Sequence, residues 1–562
     1  MSNNSIRNRD LKYLALVIFS VVVVSLLSTQ WFFRWDLTAE KRYTLAPVTR
    51  HYLSNLDKEI LVKVFLTGDL NVGFQKLSRA TREMLDEIQQ LTAGGLHYEL
   101  IDPNEDAAAR DTLKDFGLQA VPVFESEADG RKIQSRVYPY ALIQVGGMEA
   151  PVNLLENLPG LSGAENLNIS MESLEYKIME VLRYLQEEEK PAVAFLEGHG
   201  ELDELDVVDI TDALSAYYQV DRGSLTDDPY ILDRYKALII AKPQKAFSQK
   251  DKFIIDQYIM RGGSVFWLVD AVNVTLDSLR RSSSTVGMGT DINVSDQLFR
   301  YGVRINPVLL QDIQSAMIPI NVSAQGETPN LVPVPWLFNP LLNTALNHPV
   351  TRNVNVVRSE FVSSIDTVGE QGVLVKKVLL STGRYTRILS TPVYITLAMV
   401  NEKPLREDFQ DGYQPVAVAL EGAFQSAFSN RPIPPGIQMK SSEVLYNSEP
   451  TRMIVVADGD IIRNDVRLKY SGSPQILPLG FDELSNQTFG NKQFIINAIH
   501  YLADDEGWMA LRGRSYALRL LNKDKLGQEL SFWKGLNIGL PIVFLLLAGI
   551  IIPVWRKRRY GR

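Results

Sequence analysis

The chain contains no cysteine. That absence excludes disulfides, thiolate-ligated metals, a cysteine nucleophile and lipidation of an N-terminal cysteine. It leaves the redox compartment open, because a chain without thiols is compatible with any. Histidine is scarce, with five in 562 residues, so an imidazole-rich metal centre has few ligands to draw on. No Gly-x-x-x-x-Gly-Lys-Ser/Thr run occurs, and Gly-x-Ser-x-Gly is missing too. An ATPase working with this protein is therefore a separate chain. There is no basic surplus: 58 Lys and Arg face 66 Asp and Glu, for a net charge of −8. Nucleic acid is not the main partner, since phosphate binding needs a basic surface. Neither an internal repeat nor a low-complexity tract is found.

What is there is an ordinary folded composition, 45% hydrophobic and 22% charged, with two apolar ends. Tyr13 to Phe33 and Gly535 to Trp555 are uncharged runs of 21 residues each. At about 1.5 Å per residue each reaches about 30 Å, the thickness of a bilayer's hydrocarbon layer. Pro541 and Pro553 interrupt the second run, but membrane helices tolerate proline. Arg7, Arg9 and Lys12 precede the first run, and Arg556, Lys557, Arg558, Arg559 and Arg562 follow the second. The positive-inside rule then puts both termini in the cytoplasm and the bulk outside the inner membrane. The tails carry +2 and +5, which leaves −15 for the rest. Trp31, Phe32, Phe33 and Trp35 form an interfacial aromatic cluster, and no small-x-small cleavage site follows. The first run thus reads as a retained anchor. Two spans are too few for a transport pore.

Between the ends, alternation and helical spacing divide the chain into two α/β domains. Glu59 to Thr67 reads as a strand. Phe74, Leu77, Thr81, Met84, Ile88 and Leu91 share one helix face. Strands at Leu96 to Ile101, from Val121, and at Arg136 to Val145 follow, with a helix at about Asp106 to Phe116 and another carrying Met171, Leu174, Ile178, Leu182 and Leu185. The order β-α-β-α-β-β-α, with Pro122 at the start of the third strand, predicts a thioredoxin-like domain; Pro122 is a candidate cis residue. Glu187 to Pro191 marks a boundary. Buried strands at Ala192 to Leu196, Ala237 to Ala241, Val265 to Val269 and Met453 to Ala457, alternating with helices, predict a parallel sheet covered on both faces. Thr285 to Pro340 reads as loops with one short helix near Ser295 to Tyr301. Val373 to Ser381 and Val416 to Leu420 read as strands. The expected divisions are a tail at 1–12, a span at 13–33, the first domain at 34–188 and the second at 189–510, with an insertion at about 276–450. A membrane-proximal segment at 511–531, a span at 532–555 and a basic tail at 556–562 complete the chain.

Two segments carry residues suited to chemistry. Glu197-Gly198-His199-Gly200-Glu201 follows a buried strand, where α/β folds place their sites. Its carboxylates and imidazole could move a proton or bind a metal. His51, His97, His348 and His500 offer no partner at helical spacing, so the turn reads first as structure or as a ligand- or partner-contact surface. Ala457-Asp458-Gly459-Asp460 also follows a buried strand. Its oxygens suit Ca²⁺ or Mg²⁺, yet its spacing is not that of an EF-hand, and a plain Asp-Gly turn is the simpler reading. The sequence as a whole implies no catalytic residue, no metal and no cofactor. The alternative is a periplasmic hydrolase or glycan-binding enzyme using Glu197, His199 and Glu201, which requires those three side chains to converge on an open pocket.

Several strings occur together in a particular order. Asp36-Leu37-Thr38-Ala39-Glu40-Lys41-Arg42-Tyr43-Thr44-Leu45 follows the first apolar run, and Leu174-Glu175-Tyr176 precedes the Glu-Gly-His-Gly-Glu turn. Tyr258-Ile259-Met260-Arg261-Gly262-Gly263, Tyr301-Gly302-Val303, Asp458-Gly459-Asp460, Gly490-Asn491-Lys492-Gln493-Phe494 and Tyr501-Leu502-Ala503-Asp504 come after it. This set, covering nearly the whole chain, resembles the gliding-motility ABC-transporter auxiliary proteins of the GldG type. The resemblance implies an accessory, substrate-binding-labelled subunit beside a multispanning permease of the GldF type and a cytoplasmic ATPase of the GldA type. It also implies a flavodoxin/amidotransferase-like second domain, of the kind shared with intraflagellar-transport proteins. Amidotransferases use a cysteine nucleophile, so their chemistry does not carry over to a chain without one.

Overall fold

The computed structural model describes residues 12–23, 25, 44–56, 58–92, 95–126, 132–158, 160–187, 189–321, 323, 330–369, 374–468, 474–513 and 529–560. The chain divides into two compact units, Tyr43–Arg514 and a smaller one formed by its two ends. In the end unit, a helix runs from Leu530 to Tyr560 without breaking at Pro541 or Pro553. Within Leu530–Arg558 an 18-residue window has a mean hydropathy of 2.5 with its side chains uncovered, so the helix is long and apolar enough to cross a membrane. Lys12–Val23 is a shorter apolar helix, and most of the remainder of the expected 13–33 span lies outside the described residues. So does most of the 511–531 segment.

The main unit is built on two larger sheets, with smaller two- and three-stranded ones beside them. In the first, β1 (Ile60–Val64) pairs in parallel with β2 (Leu96–Leu100) and antiparallel with β5 (Tyr140–Val145). β5 pairs antiparallel with β6 (Met148–Asn153), giving the order β2-β1-β5-β6. β1 buries Ile60, Val62 and Val64 by strict alternation. Helices α1 (Val72–Leu91) and α3 (Gly163–Gln186) pack on the face that carries Val62, Ile143 and Val152. Helix α2 (Ala107–Asp115), capped by Asp106, covers the other face through Ala109 and Leu113 against Phe65 and Leu142. On α1 the buried position is Leu85, with Met84 only half-buried.

The expected third strand does not belong to this sheet. β3 (Val121–Ser126) and β4 (Lys132–Val137) form a separate hairpin, so Arg136 to Val145 is two strands broken at Tyr138-Pro139. The bond before Pro122 is trans; Thr391-Pro392 is the cis one among the described residues. Nor do the halves have separate cores. Leu174, Ile178 and Leu182 of α3 share one apolar cluster with Val193 and Phe195 beyond the Glu187 to Pro191 boundary.

The second sheet has ten strands. Its parallel block is β8 (Gln219–Ser224), β7 (Ala192–Glu197), β9 (Tyr235–Ala241), β10 (Ser264–Leu268) and β15 (Thr451–Val456), adjacent in that order. Alternate residues of β9 enter opposite cores. Ala237, Ile239 and Ala241 meet helices α4 (Val208–Ser215) and α6 (Asn491–Leu502), whereas Leu238 and Ile240 meet α5 (Gln249–Met260). Connections that put helices on both faces bury β7, β9, β10 and β15 almost completely, which is why they read as unbroken apolar runs, whereas the edge strand β8 is polar and its residues are half-buried or exposed.

The other half of the sheet is antiparallel and comes from the insertion. It runs outward from β15 through β14 (Pro415–Gly422), β13 (Leu374–Ser381) and β12 (Leu331–Thr344) to β11 (Ser315–Asn321), with Val357–Arg358 pairing on β12. Thr285 to Pro340 is therefore largely strand, not loop. The prolines that suggest loop sit where a ladder can spare them. Register pairs Pro335 with Met317 and Pro333 with Pro319. Proline has no N–H to exchange, so these are the non-hydrogen-bonded pairs, and Ile318–Val334 and Ile320–Val332 carry the bonds.

Candidate functional site

Four of the five parallel strands deliver polar residues to one edge, the C-terminal edge, where ligand sites of α/β sheets form. β7 ends at Glu197 and opens the Glu197-Gly198-His199-Gly200-Glu201 turn. Gly198 (φ +114°) and Gly200 (φ +75°) take left-handed conformations that let the chain reverse so soon after the strand. His199 is buried, with its ring stacked on Phe247 at 3.8 Å between centroids. Its Nδ1 lies 3.1 Å from Glu201 Oε1, and its Nε2 lies 3.3 Å from Asp251 Oδ2. Asp251 is the third residue of α5 and closes a capping box with Ser248. The His199 carbonyl accepts from the backbone N–H groups of Gln244 and Lys245 at 2.8 and 2.7 Å. Burial alone would lower the imidazole pKa, but bonds to Asp251 and Glu201 reverse the effect and push it up to about 9. The ring is an imidazolium with both nitrogens occupied.

Glu197 does not join it. The carboxylate, nearly half-exposed, accepts from Arg222 Nε at 2.8 Å. The turn therefore pairs His199 with Glu201 and Asp251 and leaves Glu197 aside, so the three residues of the hydrolase alternative do not converge. An imidazole saturated by two carboxylates has no lone pair for a metal and no vacant nitrogen for a proton relay.

The second group gathers where β9, β10 and β15 end. Lys242 follows β9 in a left-handed conformation (φ +55°) that a side chain rarely adopts. Its ammonium is buried, 3.1 Å from Asp270 Oδ2 and in contact with Asp460 Oδ2. Asp270 lies just after β10; Asp458 and Asp460 lie just after β15. Gly459 between them is dictated by this approach, because a Cβ there would stand 2.6 Å from Cβ and Cγ of Lys242. Asp458 is fully buried and accepts from Glu360 N at 3.0 Å and Asp460 N at 2.8 Å. Glu360 comes from the insertion and precedes Phe361, another left-handed residue (φ +48°). Arg358 pairs with Glu360 and Asp465, and Arg463 with Asp206.

Electrostatics follow from crowding in a dry place. Burial raises the carboxyl pKa values of Asp458, Asp270 and Glu360, and neighbouring carboxylates add to the shift at each of them. Burial opposes the charge on Lys242, but Asp270 and Asp460 outweigh it and hold the ammonium protonated. Asp270, Asp458 and Asp460 each place an oxygen within 4.8 Å of the others, a spacing that could hold a metal ion. Here the lysine ammonium bridges two of them and supplies the positive charge itself.

Above this cluster opens a cleft of about 430 Å³ whose floor includes Arg358, Glu360 and Asp460. The two sequence candidates thus share an edge of the sheet but not a site. Sequence reasoning gives no site role to Lys242, Asp270, Glu360 or Arg358, and marks Asp251 only as the end of a capping-box pattern with Ser248. For Lys242 and Asp270 a signal exists, since each follows directly on a buried apolar strand; for Glu360 and Arg358, inside a stretch without clear periodicity, there is none.

A family model described as an ABC-type uncharacterized transport system matches residues 190–498, and one described as a domain of unknown function matches residues 39–144. No curated protein matches the chain. Among solved structures, the mmIFT52 N-terminal domain is 12% identical, with 56% of this chain and 98% of that one covered at a TM-score of 0.31. The exo-beta-1,4-mannosidase Op5Man5 from Opitutaceae bacterium strain TAV5 is 11% identical over 75% of this chain and 51% of its own, at a TM-score of 0.19. Neither score carries an argument about fold or activity.

Proposed function

From the premise that this chain belongs to the family described as an ABC-type uncharacterized transport system, and so has an accessory role in such a system, we propose that it is a non-enzymatic subunit of a GldG-type complex. The observation that carries this reading is the family match over 190–498 joined to a C-terminal helix able to cross a membrane. In this reading the apolar ends dock against a permease of the GldF type, and a GldA-type ATPase drives the complex from the cytoplasm. The body stands in the periplasm of a gliding bacterium with both termini inside, and binds a protein or ligand there. The first sheet is read as thioredoxin-like, supported by the order β2-β1-β5-β6 and by two helices on one face and one on the other. The second is read as flavodoxin/amidotransferase-like, supported by the parallel order β8-β7-β9-β10-β15, which is 2-1-3-4-5 when the block is counted by itself.

The non-enzymatic reading rests on how the edge is occupied. A nucleophile or base needs an accessible lone pair. His199 has both nitrogens engaged, and Lys242 is protonated between carboxylates. The test is affinity purification of the full chain from native membranes in mild detergent. The expected result is a multispanning permease in the eluate, lost when residues 530–558 are deleted. Isolation of the full chain free of any multispanning protein would overturn the proposal.

A further inference from the structure

The cleft is walled on one side by four consecutive residues of β11: Ala316, Met317, Ile318 and Pro319. Successive side chains of a strand point to opposite faces, so what four neighbours share is the strand's edge. β11 is the last strand of the ten-stranded sheet, and that edge has no neighbour among the described residues. Register fixes what it offers. Because Ile318 and Ile320 bond to β12, the N–H and C=O of Met317 and the C=O of Pro319 face outward. Pro319 has no N–H, so the edge can receive a short strand but not a long one.

The lining also specifies charge. Seven acidic side chains face four arginines around the cleft. Each arginine is already engaged: Arg280 by Asp277, Arg358 by Glu360 and Asp465, Arg463 by Asp206, and Arg467 by Glu483. Two buried acceptors have no hydrogen-bond donor among the described residues, Asn339 Oδ1 and Asp460 Oδ1. Asn339 is 2% exposed, and Arg463 Nη1 stands 3.7 Å from Asp460 Oδ1, beyond hydrogen-bond distance. Buried acceptors left open on an acidic wall ask for a donor-rich cation from the ligand.

We propose that the cleft binds an extended basic segment of a partner protein, which adds as a strand to the edge of β11 at Met317 and places a lysine or arginine side chain against Asn339 and Asp460. This names the partner chemistry for the accessory-subunit reading and rests on it for the partner's existence. Strand addition gives affinity through the main chain, and the acidic pocket gives selectivity.

The experiment uses the full-length protein in detergent and a fluorescent, capped seven-residue peptide alternating valine with lysine, read by anisotropy. The peptide is expected to bind, and one with glutamate for lysine to bind at least tenfold more weakly. Met317→Pro, which removes the outward N–H, is expected to weaken binding at least tenfold, and Met317→Ala, which keeps it, less than twofold. In the unsubstituted protein, the Met317 amide should gain protection from hydrogen exchange when peptide is added. Equal binding of both peptides, no added protection at Met317, or binding of lysine amide as tight as that of the peptide would overturn the proposal. Failure here leaves permease co-purification through Leu530–Arg558 untouched, whereas loss of co-purification with intact peptide binding removes the accessory reading alone.

Discussion

Two largely covered histidines stand at opposite edges of the same parallel strands, and their surroundings leave one charged and the other neutral. At the C-terminal edge, His199 lies between Glu201 and Asp251 and is held as an imidazolium. At the N-terminal edge, beside Pro191 and Tyr218, His500 borders a cavity of about 80 Å³ with Tyr176, Tyr184 and Trp508. Its Nε2 faces Glu180 Oε1 at 3.4 Å and so carries the proton, which leaves Nδ1 to accept from the Tyr218 hydroxyl at 2.7 Å, and the ring packs edge-on against Tyr217. Burial, with Arg512 and Arg183 nearby, pushes its pKa down to about 3. The two side chains are about equally exposed, 10% and 11%, yet burial prevails at His500 and the neighbouring carboxylates prevail at His199. A covered ring takes its charge from the balance of desolvation and the charges around it: two carboxylates at the nitrogens of His199, against one carboxylate, Glu180, offset by Arg183 and Arg512 at His500.

The sharpest way to break the contrast is at Lys242. Lys242→Ala leaves Asp270, Asp458 and Asp460 together without the ammonium that bridges two of them, and removing one partner of a buried ion pair costs about 3–5 kcal/mol. Urea denaturation at pH 7 is expected to show that loss and to show it shrinking as pH falls and the carboxyls protonate. A cost below about 1 kcal/mol would mean the charges are not buried as described.

Next come the two histidines, compared by pH. His199 holds its proton more tightly folded than unfolded, so its contribution is complete below pH 6.5 and fades as pH rises through about 9. His199→Gln is expected to cost about 2 kcal/mol at pH 6, after allowance for partial solvent screening, and almost nothing at pH 10. His500 binds its proton more weakly folded than unfolded, so stability is lost as pH falls from 6.5 towards 3. His500→Phe is expected to flatten that acid limb, while costing about 1 kcal/mol at pH 7 through the lost acceptor of Tyr218. Identical pH profiles for the two variants would erase the distinction between the edges.

The smallest effect is expected at Glu197. Glu197→Ala breaks a partly exposed pair with Arg222 and should cost less than about 1 kcal/mol, with permease co-purification unchanged. A selective loss of function with unchanged stability would instead return Glu197 to a working site.

The fold is legible wherever a pattern is local. Four of the five parallel strands stand out as apolar runs, β8 being too polar to do so, and Ser248 with Asp251 three residues on is the capping-box pattern that starts α5. The insertion is not, because Pro333 and Pro335 read as breakers until their register opposite Met317 and Pro319 puts them on an outer edge. The Glu-Gly-His-Gly-Glu and Asp-Gly-Asp turns are visible as polar residues closing buried strands. Their partners are not, since Asp251 lies 50 residues from Glu201 and Lys242 lies 218 residues from Asp460.

The residues alone determined the apolar ends, the acidic bulk, the absence of thiol chemistry and the strands that had to be covered on both faces, because composition and short-range periodicity need no knowledge of what lies across the fold. Tertiary structure alone decided that His199 is saturated, that a lysine bridges two of the three aspartates, and that the proline-rich stretch ends in a strand edge that no described residue pairs, beside an acidic cleft. Those properties depend on which groups meet after distant segments are brought within a few ångströms, where burial and Coulomb interaction set charge, and spacing along the chain does not encode that meeting.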